Sequence, residues 1–296
     1  MAKLFDLIDD SSPNEIYAEI AKILLMIDPD FDPAPIKKVY TDIISLFEGS
    51  YPGYRASNTR YHNLEHTCSV VLATARLIHG LHVQNHSFSI RIMLLGLIGA
   101  LFHDTGLIQK KHEQKGTGAQ YTIGHEERSI ELMRVYLKSN DYSAEDIKDC
   151  SHIIMSTILT LPLAEIPFRS NKVKAMGMIL GSADLIAQMS DRTYLEKLPQ
   201  LFQEFEEAKM PGFETPLELF KNTEEFYHSV ARTRLRQELG NVAAAALYHF
   251  RERWNINSDL YAVSITNNIE YLKKVYEYCA GSAESIDCIL KRFRRT

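Results

Sequence analysis

The sequence predicts an all-α protein of the multi-helical kind, on three observations. Apolar residues recur with a period near 3.6 in one segment after another, the alternation of half-buried strands is nearly absent, and turn-forming clusters fall between the periodic segments. The chain has 296 residues, and 45% hydrophobic side chains supply the material for a large core. No internal repeat shows, and no Pro/Gly/Ser-rich linker is long enough to divide the chain. A single helical domain over residues 1–296 is the expected organisation.

The elements follow in order. Ser12-Pro13-Asn14-Glu15 combines an N-cap, a proline at the first helical position and a capping-box glutamate, and Ile16, Ile20 and Leu24 continue with helical spacing. A helix is therefore expected from Pro13. Further helices are expected over residues 34–48, 63–80, 87–104, 124–138, 144–159, 172–189, 194–207, 216–239, 241–253, 259–279 and 283–294. Breaks stand at Asp28-Pro29, at Pro33, and over 50–57, 109–122 and 161–170. Residues 92–102 are apolar all round, the mark of a helix enclosed by others. That run ends abruptly in His103-Asp104. The segment around 176–186 repeats the pattern, with Asp184 interrupting an apolar face and expected to be buried there.

Charge and cysteine usage narrow the function classes. Net charge is -5, and the basic residues are scattered apart from a short tail, Lys291-Arg292-Phe293-Arg294-Arg295, so no stripe could track a phosphate backbone. Nucleic acid is not the expected partner. Cys68, Cys150, Cys279 and Cys288 have no CxxC spacing and are expected as buried thiols, which suits a reducing cytoplasm. The N-terminus carries Asp6, Asp9 and Asp10 where a signal peptide would be basic, and the apolar run at 92–102 is short for a bilayer. A cytoplasmic protein without a membrane partner is expected. The C-terminal helices are amphipathic enough to support a homodimer.

The chemistry-bearing residues form a pattern. Tyr61-His62-Asn63-Leu64-Glu65-His66 is followed 37 residues after His66 by the adjacent pair His103-Asp104. An imidazole and a carboxylate at the end of the most apolar helix are costly to bury unless paired or bound to a cation. His66, His103, Asp104 and Asp184 together offer nitrogen and oxygen donors suited to zinc, manganese, iron or, with more water, magnesium. His79, His82, His86, His228 and His249 read instead as ordinary hydrogen-bonded histidines.

These motifs resemble the HD superfamily of metal-dependent phosphohydrolases, named for the adjacent His-Asp pair. Tyr61-His62-Asn63-x-x-His66 is similar to the signature of the class I 3',5'-cyclic nucleotide phosphodiesterases. Ile153-Ile154-Met155-Ser156-Thr157 and Gly181-Ser182-Ala183-Asp184-Leu185 are similar to further segments of that family in the same order. The resemblance implies an HD core over about 58–192, with helices of 1–50 and 193–296 packed on it. It also implies two divalent metal ions. His66, His103, Asp104 and Asp184 would hold the first, and Asp104 would bridge to the second. The implied reaction is hydrolysis of a cyclic nucleotide, or another small-molecule phosphoester, to a 5'-nucleotide by a metal-bridging hydroxide, with Asp104 in the catalytic centre and His62 as general acid. An HD-type nucleotidase and a noncatalytic nucleotide-binding HD sensor are the alternatives. The chain departs from the phosphodiesterase pattern after Asp104, where Thr105-Gly106 replaces a second histidine, and around Met210-Pro211-Gly212-Phe213, which lacks the purine-clamping glutamine.

Further candidates surround this set. His125 opens a helix after the 109–122 break and is a candidate for the second metal or its waters, although glycine before it and acids after it also fit an ordinary helix start. His152 and Thr157 are weaker candidates for the same role. Lys110 and Lys111, in a break read as either a lid or a solvated mobile loop, and Arg60 and Arg55 are candidate phosphate contacts. Asn63 is expected to fix the start of its helix and Tyr61 to pack. Phe202, Phe205, Phe213, Phe220, Phe226 and Tyr227 are available for the pocket wall, but such spacing is more often core.

Overall fold

The computed structural model describes residues 2–280. Among these residues there is no β-strand, and an isolated bridge pairs Tyr54 with Lys110. The helices are α1 (Pro13–Ile27), α2 (Ala34–Phe47), α3 (Leu64–Val83), α4 (Ile90–Phe102), α5 (His125–Ser139), α6 (Ala144–Met155), α7 (Asn171–Ser190), α8 (Tyr194–Glu207), α9 (Pro216–Glu225), α10 (Ala246–Trp254) and α11 (Leu260–Ala280). The helix expected over 283–294, the basic tail and Cys288 lie outside the described residues. Cys68 and Cys150 are buried free thiols, as expected.

Three helices form the centre. α3 packs against α1, α4, α7 and α10, while α7 packs against α3, α4, α6 and α11. α4 lies among α2, α3, α6 and α7, and its residues from Leu95 to Phe102 are all buried. Buried apolar residues from Ile16 in α1 to Val275 in α11 join in one cluster. By length and composition the stretch Ile90–Leu107 could cross a membrane, and 83% of it is buried inside the protein. All-round apolarity here thus fits a core helix enclosed on every side.

Local chemistry explains most helix starts. Ser12 Oγ accepts from Glu15 N at 3.4 Å, while Glu15 turns its carboxylate to Asp9 N at 3.3 Å rather than back to Ser12, so only half of the expected capping box forms. Asn63 caps α3 through Oδ1, accepting from His66 N at 3.0 Å, and its amide donates to Arg60 O. One side chain thereby sets both the direction of α3 and the turn before it.

Two expected helices end early. α6 stops at Met155 instead of reaching 159, and residues 156–161 form turns whose carbonyls need donors. Arg234 supplies them: its guanidinium donates to Ser156 O, Ile158 O, Leu159 O and Leu161 O. The helix expected over 216–239 is α-helical only to Glu225, and then passes through two π-helical stretches, Phe226–Ala231 and Arg234–Glu238. Such wide turns are rare inside helices and here accompany an inward-pointing arginine that is 3% exposed.

The 109–122 segment is neither a free loop nor an untethered lid. Arg55 donates to Gln109 Oε1 and Glu113 O, Asn58 holds Gln109 and Gly118 N, and Thr117 is held by Glu207 of α8. Arg128 of α5 pairs with Glu113 and lies 3.7 Å over the Tyr121 ring. Partners on both sides of the segment make its course part of the fold.

Candidate metal centre

Four donors converge where α3, α4 and α7 meet. His66 stands in the first turn of α3, His103 caps the end of α4, Asp104 follows it, and Asp184 projects from the middle of α7. His66 Nε2 lies 3.4 Å from His103 Nε2, 3.4 Å from Asp104 Oδ2 and 3.3 Å from Asp184 Oδ1. His103 Nε2 lies 3.3 Å from Asp104 Oδ2 and 3.7 Å from Asp184 Oδ1. Donors about 2.0–2.1 Å from a tetrahedral cation stand about 3.3–3.4 Å apart. His66, His103 and Asp104, whose donor atoms all lie within 4.8 Å of one another, could hold one divalent ion, with Asp184 beside the two histidines. His66, His103 and Asp104 are buried, but the Asp184 side chain is 21% exposed. The expected burial of Asp184 is thus corrected: its carboxylate borders the open side of the centre rather than the core.

The ring orientations fit ligation. His103 Nδ1 lies 2.8 Å from Ala100 O and must donate to it, which leaves the Nε2 lone pair directed at the cluster. Asp104 Oδ2 is buried with no hydrogen-bond partner in the protein, an expensive state for a carboxylate oxygen unless a cation compensates it. Burial by itself would raise the Asp104 pKa, but the positive charge of a protonated His103, together with His125, holds it well below the usual carboxylate range. Asp184 is likewise lowered, against burial, when His103 and His66 are protonated and donate to it. The carboxylates are thus anions balanced either by protons on the neighbouring imidazoles or by a cation that takes their place.

His125 joins this group. Its Nδ1 donates to Thr122 O at 2.7 Å, directing Nε2 toward Asp104 Oδ1 at 3.2 Å. Asp104 thus presents one oxygen to His66 and His103 and the other to His125. Burial lowers the His125 pKa, but the Asp104 hydrogen bond and field outweigh it and push it up to about 9. Glu126 Oε2 is 3.3 Å from His125 Nδ1. The approach depends on Gly106, because a Cβ there would clash with His125 O.

His62 faces the same cleft. It lies in the turn before α3, with its ring 6.0 Å from those of His66 and of His125. The residue that places it is Glu204 of α8. Glu204 is buried, its Oε2 accepts from His62 Nδ1 at 2.6 Å, and its Oε1 accepts from Arg60 N and Tyr61 N at 2.8 and 2.7 Å. Burial lowers the His62 pKa, but the Glu204 hydrogen bond and the fields of Asp104 and Glu204 raise it overall. Sequence reasoning missed Glu204 and Glu126. The available signal for Glu204 was a carboxylate flanked by Phe202 and Phe205 on an amphipathic helix, with nothing local to connect it to His62.

The remaining candidates make other contacts. His152 packs against Phe168 on α6, and its Nδ1 is buried without a hydrogen-bond partner. Thr157 Oγ1 donates to Ile154 O, capping the end of α6. Lys110, Lys111 and Arg60 are exposed, and the hydrogen bonds they make use their backbone amides, to Glu113, Gly53 and Glu204. Arg55 is committed to holding the 109–122 segment. Tyr61 is buried, consistent with packing, and Phe205 and Phe213 stack with centroids 6.3 Å apart.

No curated protein matches this sequence. Residues 34–262, from α2 into α11 and including every donor of the centre, match one family along their length, and the chain belongs to the Npun_R2479-like family.

Proposed function

We propose that this protein is a divalent-metal-dependent phosphohydrolase, and within that class a phosphodiesterase that opens a 3',5'-cyclic nucleotide to a 5'-nucleotide. The observation that carries the reading is the cage of His66, His103, Asp104 and Asp184 with the His62–Glu204 pair on the same cleft. The likeness of Tyr61-His62-Asn63-x-x-His66 to the phosphodiesterase signature supports the narrower choice of substrate. Asp104, with one oxygen on each side, supports a second ion near His125.

Divalent ions at such a centre polarise phosphoryl oxygens and lower the pKa of water into the neutral range. The protein's own residues would do the rest. Asn63 and Glu204 fix the turn that carries His62. Because Nδ1–H of His62 is engaged by Glu204, the protonated ring offers Nε2–H to the O3' leaving oxygen as its bond to phosphorus breaks. Glu204 compensates the imidazolium while it persists, and His103 and His125 keep their tautomers through backbone carbonyls.

The test is elemental analysis of the purified protein, paired with assays of metal-loaded protein on cyclic AMP, cyclic GMP, bis-p-nitrophenyl phosphate and nucleoside monophosphates. Cyclic nucleotide turnover that stops with chelator and returns with manganese or zinc is the expected result. Cleavage of monophosphates alone would replace the reading with an HD-type nucleotidase, and nucleotide binding without turnover would replace it with a sensor. A protein that takes up no metal after reconstitution would overturn the centre itself.

A further inference from the structure

A second polar site lies away from the metal centre, between α3, α7, α11 and the N-terminal segment. Arg76, Ser69, Ser190 and Tyr261 border a cavity of about 50 Å³ there, together with the carboxylate residues Asp10 and Asp191 and apolar residues of the N-terminal segment. A single water needs only about 10–15 Å³. Ser69, Leu72 and Arg76 follow one another at three- and four-residue intervals and so lie along one face of α3.

Arg76 is 2% exposed, and its charge has no carboxylate partner among the described residues. Nη1 donates to Tyr261 Oη at 3.0 Å, and the guanidinium lies within 6 Å of the Phe250 and Tyr261 rings, but Nε and Nη2 are buried with no acceptor. All of the neighbouring acids but Asp10 are engaged elsewhere. Glu19 is held in a fork by Arg253 at 3.1 and 2.9 Å, Asp191 pairs with Lys197 and accepts from Thr193, and Asp259 accepts from Ala262 N at the start of α11. Asp10 also lines the cavity, and burial, with the fields of Asp191 and Glu65, raises its pKa against Arg192, which favours its neutral form. His79 and His249, close by, supply no negative charge. A buried guanidinium left in this state is strongly unfavourable, and a planar fork with two unused donors matches an oxyanion.

We infer that Arg76 is the anchor of a second ligand site, which takes a small oxyanion, a carboxylate or a phosphate group, in the cavity under the N-terminal segment. Cation–π contact with Phe250 and Tyr261 holds the guanidinium plane, the hydroxyls of Ser69 and Tyr261 supply further donors on the wall, and the half-buried Leu4 and Ile8 cover the cavity in part. The inference is independent of the reaction proposed for the metal centre.

Thermal unfolding of the full chain, titrated with acetate and separately with inorganic phosphate at constant ionic strength, tests this. The His66→Ala variant is included so that phosphate captured by the metal centre is not counted. At saturation the midpoint is expected to rise by at least about 3 °C in the wild type and in His66→Ala. The rise should vanish in Arg76→Leu, which removes the anchor, and in Ala187→Leu, which fills the cavity while keeping the arginine. A response to acetate alone assigns the site to carboxylates, and one to phosphate alone to phosphate groups. No rise with either anion, or a rise that persists in both cavity variants, overturns the inference; unfolding of each variant without anion establishes that it is folded.

Discussion

At the scale of single residues, the centre separates groups that would hold an ion from groups that would move a proton. His66→Ala and Asp104→Ala each remove a donor from the shared cage, and both are expected to abolish metal content and turnover together, read by elemental analysis and the phosphodiester assay. Asp184→Ala should also reduce metal stoichiometry; an unchanged value would remove that residue from the ligand set. His62→Ala should keep its metal while kcat falls by about 100-fold or more, the scale of a lost general acid. Glu204→Gln is expected to leave metal bound as well and to lower kcat by at least about 10-fold, because the imidazolium loses its anionic partner and the turn at Arg60–His62 loses its acceptor. Metal loss in either of the last two variants would show that they belong to the cage.

At the scale of elements, the centre depends on how closely helices can approach. Gly106 lets the start of α5 lie against the turn after Asp104: its N–H donates to Ser129 Oγ and its carbonyl accepts from Arg128 Nε. Gly106→Ala would press a methyl group into His125 O and should cost about 1–3 kcal/mol, measured by chemical denaturation, while moving His125 away from Asp104. On the opposite side, Arg234 closes the end of α6. Arg234→Ala strips the carbonyls of Ser156, Ile158, Leu159 and Leu161 of a shared donor and should destabilise by about 3 kcal/mol, with Arg234→Lys recovering only part because an ammonium cannot reproduce the fork. Equal stability of the alanine variant would mean that these carbonyls find water instead.

At the scale of the whole molecule, stability is coupled to protons and metal. His79 and His249 are buried with Nδ1 atoms 3.2 Å apart. Burial, then His82 and Arg253, push His79 down to about 4; burial, then Arg76, His79 and Arg253, push His249 down to about 2. Both are neutral when folded. Above the unfolded pKa of about 6.5 neither state binds the proton, so their contribution is fully present. As pH falls below that value the unfolded chain takes protons that the folded chain refuses, and stability drops by up to about 3 kcal/mol per histidine by pH 4. Urea unfolding at a series of pH values should show this decline, and the double variant His79→Gln/His249→Gln should show a flatter one. Metal acts in the opposite sense: an ion at 100 times its Kd adds about 2.7 kcal/mol, so chelation should lower the unfolding midpoint of the wild type but not of His66→Ala.

What was legible in the sequence is what local chemistry sets. A helix is built from bonds between residues four apart, so period, caps and breaks revealed α1 through α11 and most of their starts. The polar interruption of an apolar run likewise marked His103-Asp104 and Asp184 before any packing was known. Tertiary structure decided what those residues meet. Glu204 reaches His62 across 142 positions, His125 turns to Asp104 while His152 turns to Phe168, and Arg234 ends a helix some 78 positions earlier. Such encounters depend on which helix faces pack together, a property of the assembled core that no run of neighbouring residues carries.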